Sequence, residues 1–136
     1  MVEIQVAYEG NLRTTATHEP SGAKFITDAP KDNQGEGQSF SPTDLVATAL
    51  GTCMLTVMGI AARNFKIDLS GATARVQKEM VTAPVRRIGK LTVEITVPMP
   101  TTPEQRRRLQ DAAMHCPVHQ SVHPDIEIPV KFNFNS

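Results

Sequence analysis

The sequence predicts an α+β fold in which mainly antiparallel strands cover a central apolar helix. Two observations carry this. Strand-like alternation comes in runs before and after the helical stretches, instead of alternating singly with them. Residues 41–65, SPTDLVATALGTCMLTVMGIAARNF, contain no charge from 45 to 62 and no polar face broad enough to meet solvent. At 136 residues, 40% hydrophobic and 21% charged, the chain has the size and composition of a single globular domain over 1–136.

The elements follow in order. Val2, Ile4, Val6 and Tyr8 alternate with Glu3, Gln5 and Ala7, the period of a half-buried strand. Glu9, Gly10 and Asn11 supply a turn, and the Thr-rich residues 12–18 can pair back as a second strand. After Pro20, Ser21 and Gly22, residues 24–27 predict a third. Residues 29–40, with Pro, Asn and Gly and little apolar content, predict a surface loop. Ser41 then caps the helix, Pro42 suits its first turn, and Asp44 sits three residues after the cap.

Beyond the helix, residues 72–80 predict a strand that Pro84 breaks off, and Leu91, Val93, Ile95 and Val97 alternate in a clear one. Thr102, Pro103 and Gln105 form a capping-box start to a helix carrying Leu109, Ala112, Ala113 and Cys116. Pro117 interrupts it and can start a short second helix through Val122. Ile126, Ile128, Val130, Phe132 and Phe134 predict a last strand, with Pro129 pointing to a sheet edge.

Several function classes lose support from composition. Lys+Arg and Asp+Glu number 14 each, which gives no reason to expect nucleic acid or an anionic membrane as partner. The apolar run at 45–62 touches the lower length limit of a membrane span, but Thr48, Thr52, Thr56, Gly51 and Gly59 dilute it, so a buried helix is expected. The first residues lack the basic head and apolar run of a signal peptide, and with two cysteines this points to the reducing cytoplasm. A sheet covers only one side of a helix. A second copy of the subunit would cover the rest, so a homodimer is expected.

The chemistry-bearing residues admit more than one reading. Cys53 in the apolar helix can be a small inert hydrophobe. Cys116, at the start of a short helix, lies where unpaired N–H groups and the helix dipole favour a thiolate. Folding can bring the two together for reversible disulfide chemistry. His115, Cys116, His119 and His123 are ligand types that zinc accepts, but Pro117 and Pro124 break the spacing, and no metal is expected as the first reading. Met54 and Met58 flank Cys53 and can either line an apolar substrate pocket or fill the core.

At these residues the chain resembles a known family. Ser41-Pro42-Thr43-Asp44-Leu45 leading into Ala49-Leu50-Gly51-Thr52-Cys53 resembles the central helix of the OsmC/Ohr family. His115-Cys116-Pro117-Val118-His119 resembles its second cysteine motif. The resemblance implies an OsmC-like fold, an intertwined homodimer, and a thiol peroxidase acting on organic hydroperoxides and hydrogen peroxide without organic cofactor or metal. It implies Cys53 as the peroxidatic thiolate, Cys116 as the resolving thiol, and an external dithiol as reductant. It also implies an activating arginine from an N-terminal strand, which by position is Arg13. His115 and His119 become candidates for tuning Cys116. Where the peroxidase branch has a glutamate after the helix-start proline, this chain has Thr43, with Asp44 one residue on. The competing expectation is a non-catalytic dimeric binding module of the same fold that uses its cysteines only for packing or for metal, the metal option being a zinc site at His115, Cys116, His119 and His123.

Overall fold

The computed structural model describes residues 1–135. The chain divides into two compact units, Met1–Val46 and the residues from Ala47 onward. In the first, strands β1 (Ile4–Gly10), β2 (Arg13–His18) and β3 (Lys24–Asp28) form an antiparallel sheet in the order β1-β2-β3. The β1–β2 turn runs through Gly10, Asn11 and Leu12, all at positive φ. Gly and Asn enter that region at little cost, and this turn delivers Arg13 to the start of β2. The β2–β3 register then sets Arg13 opposite Asp28, so both side chains share one face.

On the opposite face of this sheet, Val6, Ala16 and Phe25 share one cross-strand row. Ile4 and Tyr8 lie two residues to either side of Val6. Ile4, Val6, Tyr8 and Phe25 are all exposed. The alternation expected of a half-buried strand is therefore present in β1, yet the large apolar residues of that face are exposed. The 29–40 loop contains a single 3-10 turn at Lys31–Asn33.

Helix α1 (Pro42–Arg63) begins as its sequence dictates. The Asp44 N–H donates to Ser41 Oγ at 3.1 Å and the Ser41 N–H donates to Asp44 Oδ2 at 2.9 Å, a reciprocal cap. In the second unit its buried positions, Ala47, Leu50, Gly51, Met54, Met58 and Ala62, fall on one face at helical spacing. They join Leu91, Val93, Ile95 and Val97 of the sheet and Leu109 and Ala113 of the following helix in the core. Burying each Leu or Met side chain contributes about 1.5–3 kcal/mol. At Gly51 an added Cβ would stand 2.9 Å from Val76 Cγ2, so glycine lets the helix lie close on the sheet.

The other side of α1 is not covered by the unit. Ile60 is 59% exposed, and only a third of the helix's most apolar stretch is buried. By length and composition alone α1 could cross a membrane; its buried stripe is built into a sheet-and-helix core.

The second sheet has the order β4-β5-β6, from β4 (Thr73–Val81), β5 (Arg87–Val97) and β6 (Val130–Phe134). β4 and β5 are antiparallel, whereas β6 pairs parallel to β5 at the sheet edge. A parallel neighbour needs a crossover, and helices α2 (Pro103–Met114) and α3 (Pro117–Ser121) provide it. The capping box of Thr102 and Gln105 is formed. Two boundaries differ most from the sequence expectation. β5 starts at Arg87, where Gly89 and Lys90 hide the alternation. Ile126 and Ile128 precede β6 and flank Glu127, which forms an isolated parallel bridge with Lys90.

Candidate functional site

The second unit brings the two cysteines together. Cys53 sits on the flank of the buried stripe of α1 and is half-buried, while Cys116 is fully buried. Cys116 is the N-cap residue of α3, and its Sγ accepts the His119 N–H at 3.3 Å. Its thiol also lies close enough to that of Cys53 for the two to interact. Local sequence explains this placement. Pro117 starts α3 at the residue after the thiol, so the capping position falls on Cys116.

The electrostatics of Cys116 correct one expectation. Its position at a helix start was expected to favour the thiolate, but its pKa is raised. Burial is the largest cause. The N–H groups of His119 and Val118 pull the other way, but the interaction with the Cys53 thiol and the charge Cys53 carries when ionised add to the rise. Cys116 therefore keeps its proton and can donate S–H toward Cys53. Because the folded value lies above the unfolded one, near 8.5, the stability this contributes is fully present below that pH. It is lost as pH rises through the folded value. Thermal melts of reduced protein between pH 7 and 10 are expected to show an alkaline loss of stability that Cys116→Ala diminishes.

The histidines do not assemble a metal site. His115 is the C-cap of α2, with Nδ1 at 2.8 Å from the Asp111 carbonyl oxygen, and His123 Nδ1 accepts the Asp125 N–H at 3.0 Å. Among the described residues, no three His, Cys, Asp or Glu side chains converge as ligands could, so the zinc set proposed from sequence is not formed. His119 reaches Cys116 through its backbone N–H. Met54 and Met58 are fully buried in the core of their unit. Asp44 Oδ2 serves in the helix cap, and Thr43 Oγ1 lies 3.3 Å from Ser41 Oγ.

In the first unit, Arg13 is held by three side chains. Its Nη2 donates to Glu36 Oε2 and to Gln38 Oε1, both at 2.8 Å, and its Nε lies 3.7 Å from Asp28 Oδ2. Gln38 Nε2 in turn donates to Glu36 Oε2 at 2.9 Å, closing a ring of three groups. Asp28 is 2% exposed; its Oδ2 accepts the Gln38 N–H, and its Oδ1 is buried without a hydrogen-bond partner. Asp28, Glu36 and Gln38 were not anticipated from sequence. A hairpin register would have found Asp28 opposite Arg13, but a loop without periodicity offers no signal for Glu36 or Gln38.

Comparison with known proteins agrees with this architecture. The family model described as OsmC-like protein matches residues 35–131. A candidate osmotic stress induced and detoxification response protein of Psychrobacter arcticus is 45% identical, with a TM-score of 0.93, covering 98% of this chain and 96% of that one. An organic hydroperoxide resistance protein OsmC of Legionella pneumophila shares the fold at 14% identity and a TM-score of 0.78, covering 98% of this chain and 96% of its own. OhrB of Bacillus subtilis, an organic hydroperoxide resistance protein, does so at 16% and 0.71, covering 98% of each. No curated protein matches the chain. With the family model spanning most of its length and a 45% identical relative matched almost from end to end, the chain belongs to the OsmC/Ohr family.

Proposed function

We propose that this protein is a cysteine-based thiol peroxidase that reduces organic hydroperoxides and hydrogen peroxide, a role in oxidative stress defence. The observation that carries the reading is the pairing of the half-buried Cys53 thiol with the buried, proton-retaining thiol of Cys116. The names of the hydroperoxide resistance proteins sharing the fold agree with it.

In the first step the Cys53 thiolate attacks one oxygen of the O–O bond. An S–O bond forms, the O–O bond breaks, and the departing alkoxide takes up a proton as alcohol. Cys53 becomes a sulfenic acid. The Cys116 sulfur then attacks the Cys53 sulfur; the S–S bond forms, and hydroxide leaves with the Cys116 proton as water. An external dithiol reduces the disulfide and is itself oxidised to a disulfide. A thiol that holds its proton until a neighbouring sulfenic acid appears suits the second role, so Cys53 takes the first.

Arg13 supplies the positive charge that a half-buried thiolate needs. What supports this is its place at the start of β2, in the N-terminal strands where the family resemblance expects the activating arginine. The working unit is a homodimer. The uncovered Ile4, Val6, Tyr8 and Phe25 face and the bare side of α1 at Ile60 support it, and light scattering should give twice the chain mass. A dithiol-recycled enzyme fits a reducing compartment, so the cytoplasm remains the proposed location.

The test is dithiol-dependent consumption of cumene hydroperoxide by the reduced protein. A kcat/KM on the order of 10⁴ M⁻¹ s⁻¹ or higher is expected. A rate no faster than that of an equal concentration of free thiol would leave a non-catalytic binding module as the better reading.

A further inference from the structure

We propose that the cavity at the C-terminal end of α1 binds a monoanionic amphiphile, a carboxylate carrying an aliphatic chain, with Arg63 and Lys66 taking the carboxylate. The site lies wholly within the second unit and is independent of the peroxidase reading.

The first observation is the cavity and its lining. It measures about 640 Å³, within the range of about 300–1,000 Å³ typical of small-molecule sites. The C-terminal turns of α1 and the residues just beyond them form it. Ile60 and Arg63 stand three residues apart on one face of the helix, and the half-buried Ile67 and Leu69 add apolar wall. Apolar surface beside cationic heads is what a chain ending in a carboxylate matches.

The second observation is the charge. Arg63 and Lys66 make no ion pair and no side-chain hydrogen bond among the described residues. The one carboxylate in the lining, Asp68, is tied to Ser70. Its Oδ1 accepts the Ser70 N–H at 2.9 Å and the Ser70 hydroxyl at 2.6 Å. Those two bonds hold its pKa below the ordinary carboxylate value, so Asp68 stays charged at neutral pH. Two cations against one anion leave one positive charge for a ligand to match. A second copy of the chain is the rival occupant, because Ile60 also belongs to the side of α1 proposed for the dimer. Two unpaired cations ask for an anionic group instead.

The third observation is in the backbone. The Ile67 N–H donates to the Ala62 carbonyl at 3.0 Å and the Lys66 N–H to the Arg63 carbonyl at 3.1 Å, a Schellman end to α1. Lys66 holds the left-handed position of that turn, at φ 62, where glycine is usual because it has no Cβ to crowd. The lysine is therefore kept against the preference of the fold. The helix dipole does not require it, since Arg63 already puts a cation in the last turn.

The experiment titrates reduced full-length protein with laurate, below its micelle-forming concentration, by isothermal calorimetry for wild type, Arg63→Gln and Lys66→Gly. Both side chains are exposed, so replacing them has little effect on folding. Wild type is expected to bind one laurate per chain, and each variant to bind at least about tenfold more weakly. Dodecyltrimethylammonium, with the same tail and the opposite charge, is expected not to bind. Lys66→Gly is also expected to melt about 2–4 °C higher than wild type, because the turn is relieved while the ligand is lost. No saturable laurate binding, equal binding by both variants, equal binding of the cationic probe, or a Lys66→Gly that melts no higher than wild type overturns the proposal. So does a fall of the Arg63→Gln mass in light scattering without laurate binding to wild type, which gives the cavity to a second copy. The titration needs no turnover, so its failure and the failure of the peroxidase reading are separate results.

Discussion

Cys53→Ser is expected to abolish hydroperoxide turnover, by at least about a thousandfold, while leaving the fold intact. A serine hydroxyl stays protonated at neutral pH and is a far poorer nucleophile toward an O–O bond. Cys53 is half-buried on the flank of the core stripe of α1, so an oxygen in place of sulfur opens no core cavity. Cys116→Ser should behave differently. It should permit a single fast reaction of Cys53 with peroxide, after which the sulfenic acid has no internal partner and proceeds to sulfinic acid with excess oxidant. Stopped-flow peroxide consumption with and without dithiol separates the two variants. Equal loss of the first step in both would contradict the assignment of roles.

Arg13→Ala is expected to slow the first step by roughly 10²–10³-fold, the usual scale for losing a preorganised charge beside a reacting group. In the role proposed for Arg13 the effect is electrostatic: a guanidinium that favours a thiolate also favours the negative charge on the departing oxygen. Arg13→Lys keeps the charge but loses the fork that Glu36 and Gln38 grip, so it should fall between wild type and Arg13→Ala. If Arg13→Ala reacts as fast as wild type at every pH, Arg13 is only a counterion of Asp28 and Glu36.

Much of the fold was legible because its signals are local. Ser41, Pro42 and Asp44 write the start of α1, and Thr102 with Gln105 writes the start of α2; both caps form as those residues dictate. The alternation of Leu91, Val93, Ile95 and Val97 marks the inward face of β5. What escaped depends on partners distant in sequence. β6 is parallel to β5 because α2 and α3 make the crossover, and alternation along one strand carries no direction for its neighbour.

The site shows the same division. Cys53 and Cys116 could be named from sequence motifs, but their proximity could not, nor could the burial that outweighs the N–H groups of α3 at Cys116. Residues 29–40 have the composition of an ordinary surface loop, and their grip on Arg13 emerges only from the register that sets Arg13 opposite Asp28. The expected glutamate is absent at Thr43. A different carboxylate, Glu36, stands at the guanidinium instead.

The central claim is that the two thiols form one redox unit. Titrating free thiols in denaturant before and after one equivalent of cumene hydroperoxide tests it directly. A fall from two thiols per chain to none is expected, with a peptide map showing Cys53 joined to Cys116. Two thiols still free after the peroxide has had time to react would contradict it.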